Sequence, residues 1–206
     1  MINKNSLLIK DYSLFILFAS NIFTIILAAI QNWNLGVILW IFWCQSVIIG
    51  FFNFIKILGL KKFSTKNFTI NRRKVNPSMA IKYFTAFFFI LHYGFFHFVY
   101  AIFLYILSVM TNTGFNDMII ILSGAGIFLL NHTYSFFVNI KNDKKNNEKS
   151  IGKIMFFPYV RIIPMHLTII FGFVFLFLFN KSFVLVFFLI LKTIADLIMH
   201  YVEHRN

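Results

Sequence analysis

Six apolar runs alternate with short polar segments along the chain. They cover roughly residues 12–31, 34–58, 83–110, 117–140, 160–180 and 182–204. Each run approaches or exceeds the roughly 20 residues that an α-helix needs to cross the hydrocarbon core of a bilayer. The pattern predicts an all-α membrane protein, a bundle of six transmembrane helices that forms a single domain over residues 1–206.

The polar segments between the runs differ in length and charge. Short turns join the first run to the second, the third to the fourth and the fifth to the sixth. Long basic loops follow the second and fourth runs, with the sequences LKKFSTKNFTINRRKVNPSMAIK and KNDKKNNEKSIGK. Because short loops rich in Lys and Arg stay on the cytoplasmic side, both loops and both chain termini are expected there. We expect a multi-pass protein of a prokaryotic plasma membrane whose first run is a retained helix.

The composition agrees with the membrane prediction and limits the classes of binding partner to be expected. Hydrophobic residues make up 60% of the chain, and 31 residues are Phe, too much apolar surface for a soluble domain. The net charge of +13 lies mainly in the loops, where it favours anionic lipid headgroups over nucleic acid, for which no motif is present. Cys44 is the single cysteine, which excludes an internal disulfide. The oligomeric state stays open.

Two of the runs carry residues that affect the course or the packing of a helix. The fifth run contains Pro158 and Pro164, which are compatible with a kinked helix from about residue 154 or with an interfacial stretch and a span that begins near Pro164. The second run contains Gln45, Ser46 and Asn53, which we expect to form hydrogen bonds between helices.

All six histidines lie within the apolar runs or at the end of one: His92, His97, His132, His166, His200 and His204. Counted from the basic residues at the cytoplasmic edge, at about 1.5 Å per helical residue, all but His97 lie within roughly 15 Å of that edge, as does Asp196. Ionisable side chains inside a membrane are costly and mark functional sites. The pattern predicts a His-rich polar layer in the cytoplasmic half of the bundle, with His92 in it rather than the deeper His97.

The last run, which ends LKTIADLIMHYVEHRN, places Asp196, His200 and His204 on one helical face. With His166 as a fourth ligand, this set suits a divalent metal such as zinc or iron. Asp196 is then a ligand or a catalytic base, and the metal activates water in an intramembrane hydrolase that acts on a lipid-like substrate. Alternatively, Asp196 forms a structural ion pair with Lys192, four residues earlier.

A second hypothesis is a haem-b electron carrier. In it, His92 or His132 pairs with His166 or His200 as axial ligands, and the Phe-rich bundle holds the macrocycle. Arg161, near the cytoplasmic interface, then binds a haem propionate; otherwise it binds a substrate phosphate or the phosphate of a lipid headgroup. A third hypothesis is a transporter or a scaffold without catalysis.

Four segments together resemble an uncharacterised family of prokaryotic membrane proteins, a domain of unknown function: FFNFIKIL, FFILHYGFFHFVYAIFL, PYVRIIPMHLTIIFG and LILKTIADLIMHYVEH. The resemblance extends over nearly the whole chain; it supports the membrane architecture and implies no activity. Asp196 followed by the HxxxH pair is also similar to the motif of intramembrane zinc hydrolases of the ceramidase and progestin-receptor type. That similarity is one of mechanism only, because those enzymes have seven spans and a further Ser-His element.

Overall fold

The computed structural model describes residues 18–19, 21–66, 68–70, 72–110, 112–142 and 149–204. Most of these residues are helical, as the sequence predicts. The helices are α1 (Asn21–Ile30), α2 (Leu35–Leu58), α3 (Met79–Met110), α4 (Phe115–Asn142), α5 (Ile151–Phe156), α6 (Tyr159–Leu178) and α7 (Lys181–His204). The strands are β1 (Phe63–Ser64), β2 (Thr69–Ile70), β3 (Arg73–Lys74) and β4 (Lys149–Ser150).

Within the described residues, five helical segments are long and apolar enough to cross a membrane: Leu35–Leu58, Met79–Met110, Phe115–Tyr134, Ile151–Gly172 and Lys181–Met199. They match the second to sixth predicted spans. Most of the first predicted span, residues 12–31, lies outside the described part of the chain, and its described portion includes the short apolar helix α1.

Polar residues end the helices at the predicted short turns. Asn32 after α1 and Asn112 after α3 have φ values of 50° and 53°, in the left-handed region that Asn tolerates at a helix C-terminus. The Asn180 side chain accepts a hydrogen bond from the Phe183 backbone N–H at the start of α7, at 2.8 Å. The positions of these turns therefore follow from the conformational and hydrogen-bonding preferences of individual Asn residues.

The chain forms two compact units. The central unit comprises Gly36–Tyr159, and the terminal unit comprises Met1–Leu35 together with Val160–Asn206. The central unit contains α2 to α5 and all four strands. The terminal unit contains α1, α7 and α6 from Val160 onwards.

Hydrogen bonds join α2 to α3 along the core of the central unit. The indole N–H of Trp40 donates to Ser108 Oγ at 2.7 Å, and that of Trp43 donates to the His97 carbonyl at 2.9 Å. Ser46 Oγ lies 3.0 Å from the Tyr93 hydroxyl, which also donates to the Ser46 carbonyl. In a lipid bilayer such hydrogen bonds hold helices together, because an apolar helix face packs about as favourably against lipid as against another helix.

The first long basic loop is folded, which the all-α prediction missed. Strand β1 pairs with β4 in parallel, and β2 pairs with β3 as an antiparallel hairpin. Phe63 of β1 and Phe68 are buried, and Thr65 Oγ1 donates to the Val75 carbonyl at 2.6 Å. We call Gly59–Ser78 the basic platform.

The two prolines of the fifth predicted span have separate effects. Pro158 lies in the turn between α5 and α6, where its fixed φ is compatible with a new helix start. Pro164 lies inside α6, which continues to Leu178. The apolar segment that can cross a membrane begins at Ile151, so the structure agrees with a broken helix from the early 150s rather than with a span that starts near Pro164.

Candidate functional site

A charged cluster lies among the helices of the terminal unit. Lys192 Nζ donates to Asp196 Oδ2 at 2.6 Å and to Asn21 Oδ1 at 3.0 Å. Lys192 and Asp196 are four residues apart on α7, so both side chains project from the same helical face. The ion pair that the sequence offered as one alternative for Asp196 is therefore present.

Arg161 of α6 adds a second cation to this cluster. Its Nη1 atom lies 4.0 Å from Asp196 Oδ1, so both carboxylate oxygens of Asp196 face a positive charge. The Arg161 and Asp196 side chains are only 12% and 14% exposed, and that of Lys192 is 26% exposed. Two cations thus share one carboxylate in a poorly hydrated place, and these three side chains carry a net positive charge.

The position of Asp196 bears on the predicted metal site. A carboxylate that already accepts a charge-assisted hydrogen bond from Lys192 must give it up, or share it, in order to bind a metal ion. His166 lies five residues after Arg161 on α6, about 140° further round a regular helix, and is exposed. The structure therefore turns the Arg161 and His166 side chains to different faces of α6.

Two predicted ligands lie where only the backbone is described. α7 extends unbroken to His204, so Asp196, His200 and His204 have the predicted spacing of two successive helical turns. The side chains of His200 and His204 lie outside the described part of the chain. Among the side chains that are described, no three His, Cys, Asp or Glu residues are grouped as a metal site requires. The metal set stays a prediction.

His92 lies in the central unit and is exposed. Its Nδ1 lies 2.9 Å from the Tyr159 hydroxyl, and its ring stacks on Phe88 with centroids 5.3 Å apart. The sequence placed His92 in the functional layer on the basis of depth. In the structure its contacts are the ring of Phe88 and the hydroxyl of Tyr159.

His132, the other histidine predicted to bind a cofactor, also contacts aromatic rings of the central unit. It stacks on Phe128 with centroids 5.5 Å apart and meets Phe52 edge-on at 5.1 Å. Phe52 belongs to α2, so His132 lies between α4 and α2. Its role as a haem ligand stays a prediction.

His97, which the depth estimate set aside, is the buried histidine of α3, with 4% of its surface exposed. Its Nδ1 lies 2.9 Å from the Tyr93 carbonyl, which only accepts, so Nδ1 carries the proton. Its Nε2 is buried and has no hydrogen-bond partner in the described part of the chain. The sequence placed His92 rather than His97 in the polar layer, but the buried histidine of α3 is His97.

These features define the class of protein first. The described residues form five apolar helices long enough to cross a membrane, with interhelical hydrogen bonds and a poorly hydrated ion cluster, a combination typical of helical membrane proteins. Residues 4–206 match the family of unknown function DUF6498, and the chain belongs to that family. No curated protein and no solved structure matches it.

Proposed function

We propose that the chain is a multi-pass protein of a prokaryotic plasma membrane with six spans, the first of which includes α1, and with both termini in the cytoplasm. The support is the placement of the basic loops, since Lys- and Arg-rich loops stay inside. The described short turns after α1, α3 and α6 then lie on the opposite side.

Thiol labelling of intact cells checks this topology. In a Cys44→Ala background, an impermeant maleimide is expected to label Ser182→Cys, which is exposed in the first turn of α7. Lys66→Cys of the basic platform is expected to stay unlabelled until the cells are opened. Labelling of Lys66→Cys in intact cells would reverse the orientation.

We propose further that the terminal unit binds the anionic head of a lipid-like molecule through Arg161 and Lys192. One observation carries the proposal: two poorly hydrated cations share a single carboxylate, that of Asp196. A poorly hydrated cation among membrane helices is expensive, and a phosphate or carboxylate group of a ligand interacts favourably with it. Arg161 is suited to a phosphate because its guanidinium presents parallel N–H groups.

The Asp196 carboxylate has a defined part in this proposal. Its contact with Lys192 is short, whereas its contact with Arg161 is 4.0 Å, beyond hydrogen-bond distance. Asp196 therefore holds Lys192 in place and attracts Arg161 without a direct hydrogen bond to it. An anion that binds Arg161 therefore displaces no direct hydrogen bond from Asp196.

Ligand-induced stabilisation of the purified full-length protein tests the anion site. Short-chain phosphatidic acid is expected to raise the melting temperature, because a ligand that binds the folded state alone stabilises it. Arg161→Gln is expected to weaken this binding by about tenfold to a hundredfold, the value of a hydrogen bond to a charged group. Lys181→Gln, which removes an exposed cation at the start of α7, is the matched control and is expected to bind as the unaltered protein does. Equal binding by Arg161→Gln would refute the anion site.

The metal-dependent hydrolase is the second candidate function. It is favoured by the unbroken helix through Asp196, His200 and His204, whose regular spacing suits successive ligands on one face. His166 is the proposed fourth ligand, and zinc or iron the proposed metal. Stoichiometric metal in the same purified protein, lost in His200→Ala and retained in His92→Ala, would favour this candidate over the anion site.

A further inference from the structure

The basic platform, Gly59–Ser78, has many positively charged residues and no Asp or Glu. Its six cations are exposed: Lys61, Lys62, Lys66, Arg72, Arg73 and Lys74. The sequence has no Asp or Glu from residue 12 to residue 116. Among the described residues, no ion pair involves the side chain of any of these six cations. Within the described part of the chain, these six cations therefore face the surface, where an external anion can reach them.

The platform is a folded element, which charge for membrane orientation alone does not require. Orientation depends on the number of cations in a loop and not on their arrangement. Here the loop has a buried underside: Phe68 packs against α5, where a Cβ on Gly152 would lie 3.1 Å from Phe68 Cδ2. Strand β4, far along the chain, pairs with β1, and Lys82 Nζ of α3 donates to the Leu60 carbonyl at 3.2 Å. The backbone of the loop is thus held by contacts with other elements of the central unit.

The β2–β3 hairpin holds part of this charge at a tight turn. Thr69 pairs with Lys74 and Ile70 with Arg73, so the connection is two residues long. Arg72 in that turn has a φ of 63°, a left-handed conformation that costs an ordinary side chain energy and that Gly adopts freely. Two-residue hairpin turns use this conformation, so it fits the hairpin and holds the Arg72 charge where β2 joins β3. Arg72, Arg73 and Lys74 are consecutive, so three cations lie at the turn and in β3, with Arg73 and Lys74 on opposite faces of the strand.

We propose that the basic platform is a binding site for the phosphodiester headgroup of an anionic phospholipid, with Arg72 and Arg73 as its principal contacts. The platform connects Leu58, the end of one candidate span, to Met79, the start of another. Lipid phosphates are therefore the anions closest to it. Guanidinium groups bind phosphate oxygens in pairs, and basic clusters beside a membrane helix gain roughly fivefold in affinity per cation. This site is in the central unit and is independent of the anion site proposed for Arg161.

Lipid binding by the purified full-length protein in neutral detergent tests the proposal. The probes are short-chain phosphatidylglycerol, phosphatidylcholine of the same chain length, inorganic phosphate and a short single-stranded RNA. Phosphatidylglycerol is expected to bind more tightly than phosphatidylcholine, and its affinity is expected to fall with added salt, because exposed charges are screened. The Arg72→Gln/Arg73→Gln protein is expected to lose about fivefold for each cation removed.

Three further variants make the result decisive. Lys181→Gln, an exposed cation outside the platform, is expected to bind phosphatidylglycerol unchanged. Arg72→Lys/Arg73→Lys keeps the charge and is expected to retain most of the binding. Arg161→Gln is expected to keep the platform's salt-sensitive binding, which separates this site from the one in the terminal unit. The proposal is wrong if Arg72→Gln/Arg73→Gln binds phosphatidylglycerol as the unaltered protein does, if phosphate alone binds as tightly as the lipid, or if RNA is preferred.

Discussion

Asp196→Ala is expected to lower the free energy of unfolding by about 3 kcal/mol, the typical cost of removing one partner from a buried ion pair. The change leaves Lys192 and Arg161, two poorly hydrated cations, without their shared carboxylate. Asn21 still accepts a hydrogen bond from Lys192, but an amide carries no charge to balance it. Thermal unfolding of the detergent-solubilised protein measures the loss.

A double variant separates the missing partner from a general intolerance of substitution. Lys192→Met/Asp196→Leu removes both charges of the short ion pair and replaces them with apolar side chains of similar size. It is expected to recover at least half of the lost stability, since apolar replacement of a buried pair is often neutral. A metal-binding Asp196 leads to the opposite result, because the double variant would still lack the ligand.

Asp117→Ala supplies the matched control for the same substitution. Asp117 is half-buried, and its carboxylate accepts a hydrogen bond from the Gly114 N–H at 2.8 Å, at the start of α4. Loss of such a capping contact costs about 1 kcal/mol. If Asp196→Ala is no more destabilising than Asp117→Ala, the ion cluster does not stabilise the terminal unit.

Gly50→Ala is expected to destabilise the central unit by about 1–3 kcal/mol, the usual cost of overpacking. A Cβ at Gly50 would overlap the Tyr93 ring and lie 2.8 Å from Tyr93 Cδ1. The ring cannot turn aside cheaply, because its hydroxyl is bonded to Ser46 and its face stacks on His97 at 4.3 Å. Thermal unfolding and the near-ultraviolet spectrum of the aromatic residues report the change.

Gly126→Ala of α4 is the control for the methyl group itself. A Cβ there meets nothing within 4 Å, so the substitution is expected to be neutral or slightly stabilising, because Ala favours a helix over Gly. Equal effects at Gly50 and Gly126 would show that Tyr93 does not pack closely against α2.

The spans and short turns were predictable because their causes are local. Length and hydrophobicity alone indicate a membrane helix, and the bounds of α2, α3 and α7 fall within a few residues of the predicted runs. Asn32 and Asn112 end their helices through their own conformational preference. The basic platform was missed because its strands are two residues long and because β1 and β4 come from distant segments of the chain. Such short pairs leave no periodic signal.

The candidate site was predictable in part. Lys192 and Asp196 are four residues apart on one helix, so their ion pair follows from helical geometry. The contact of Arg161 with Asp196 joins two helices and depends on how α6 and α7 are rotated. Depth estimates placed both residues in the same half of the bundle, but depth does not specify rotation.

The sequence by itself determined that this chain has helices long and apolar enough to cross a membrane. It also determined where most of these helices begin and end, and which residue pairs share a helical face. Only the tertiary structure decided that His97 rather than His92 is the buried histidine of α3, and that Arg161 meets Asp196. The reason is physical. In a soluble protein the apolar stripe of a helix marks its buried face, but in a membrane the lipid-facing and protein-facing sides are both apolar. The rotation of each helix then depends on its contacts with the others.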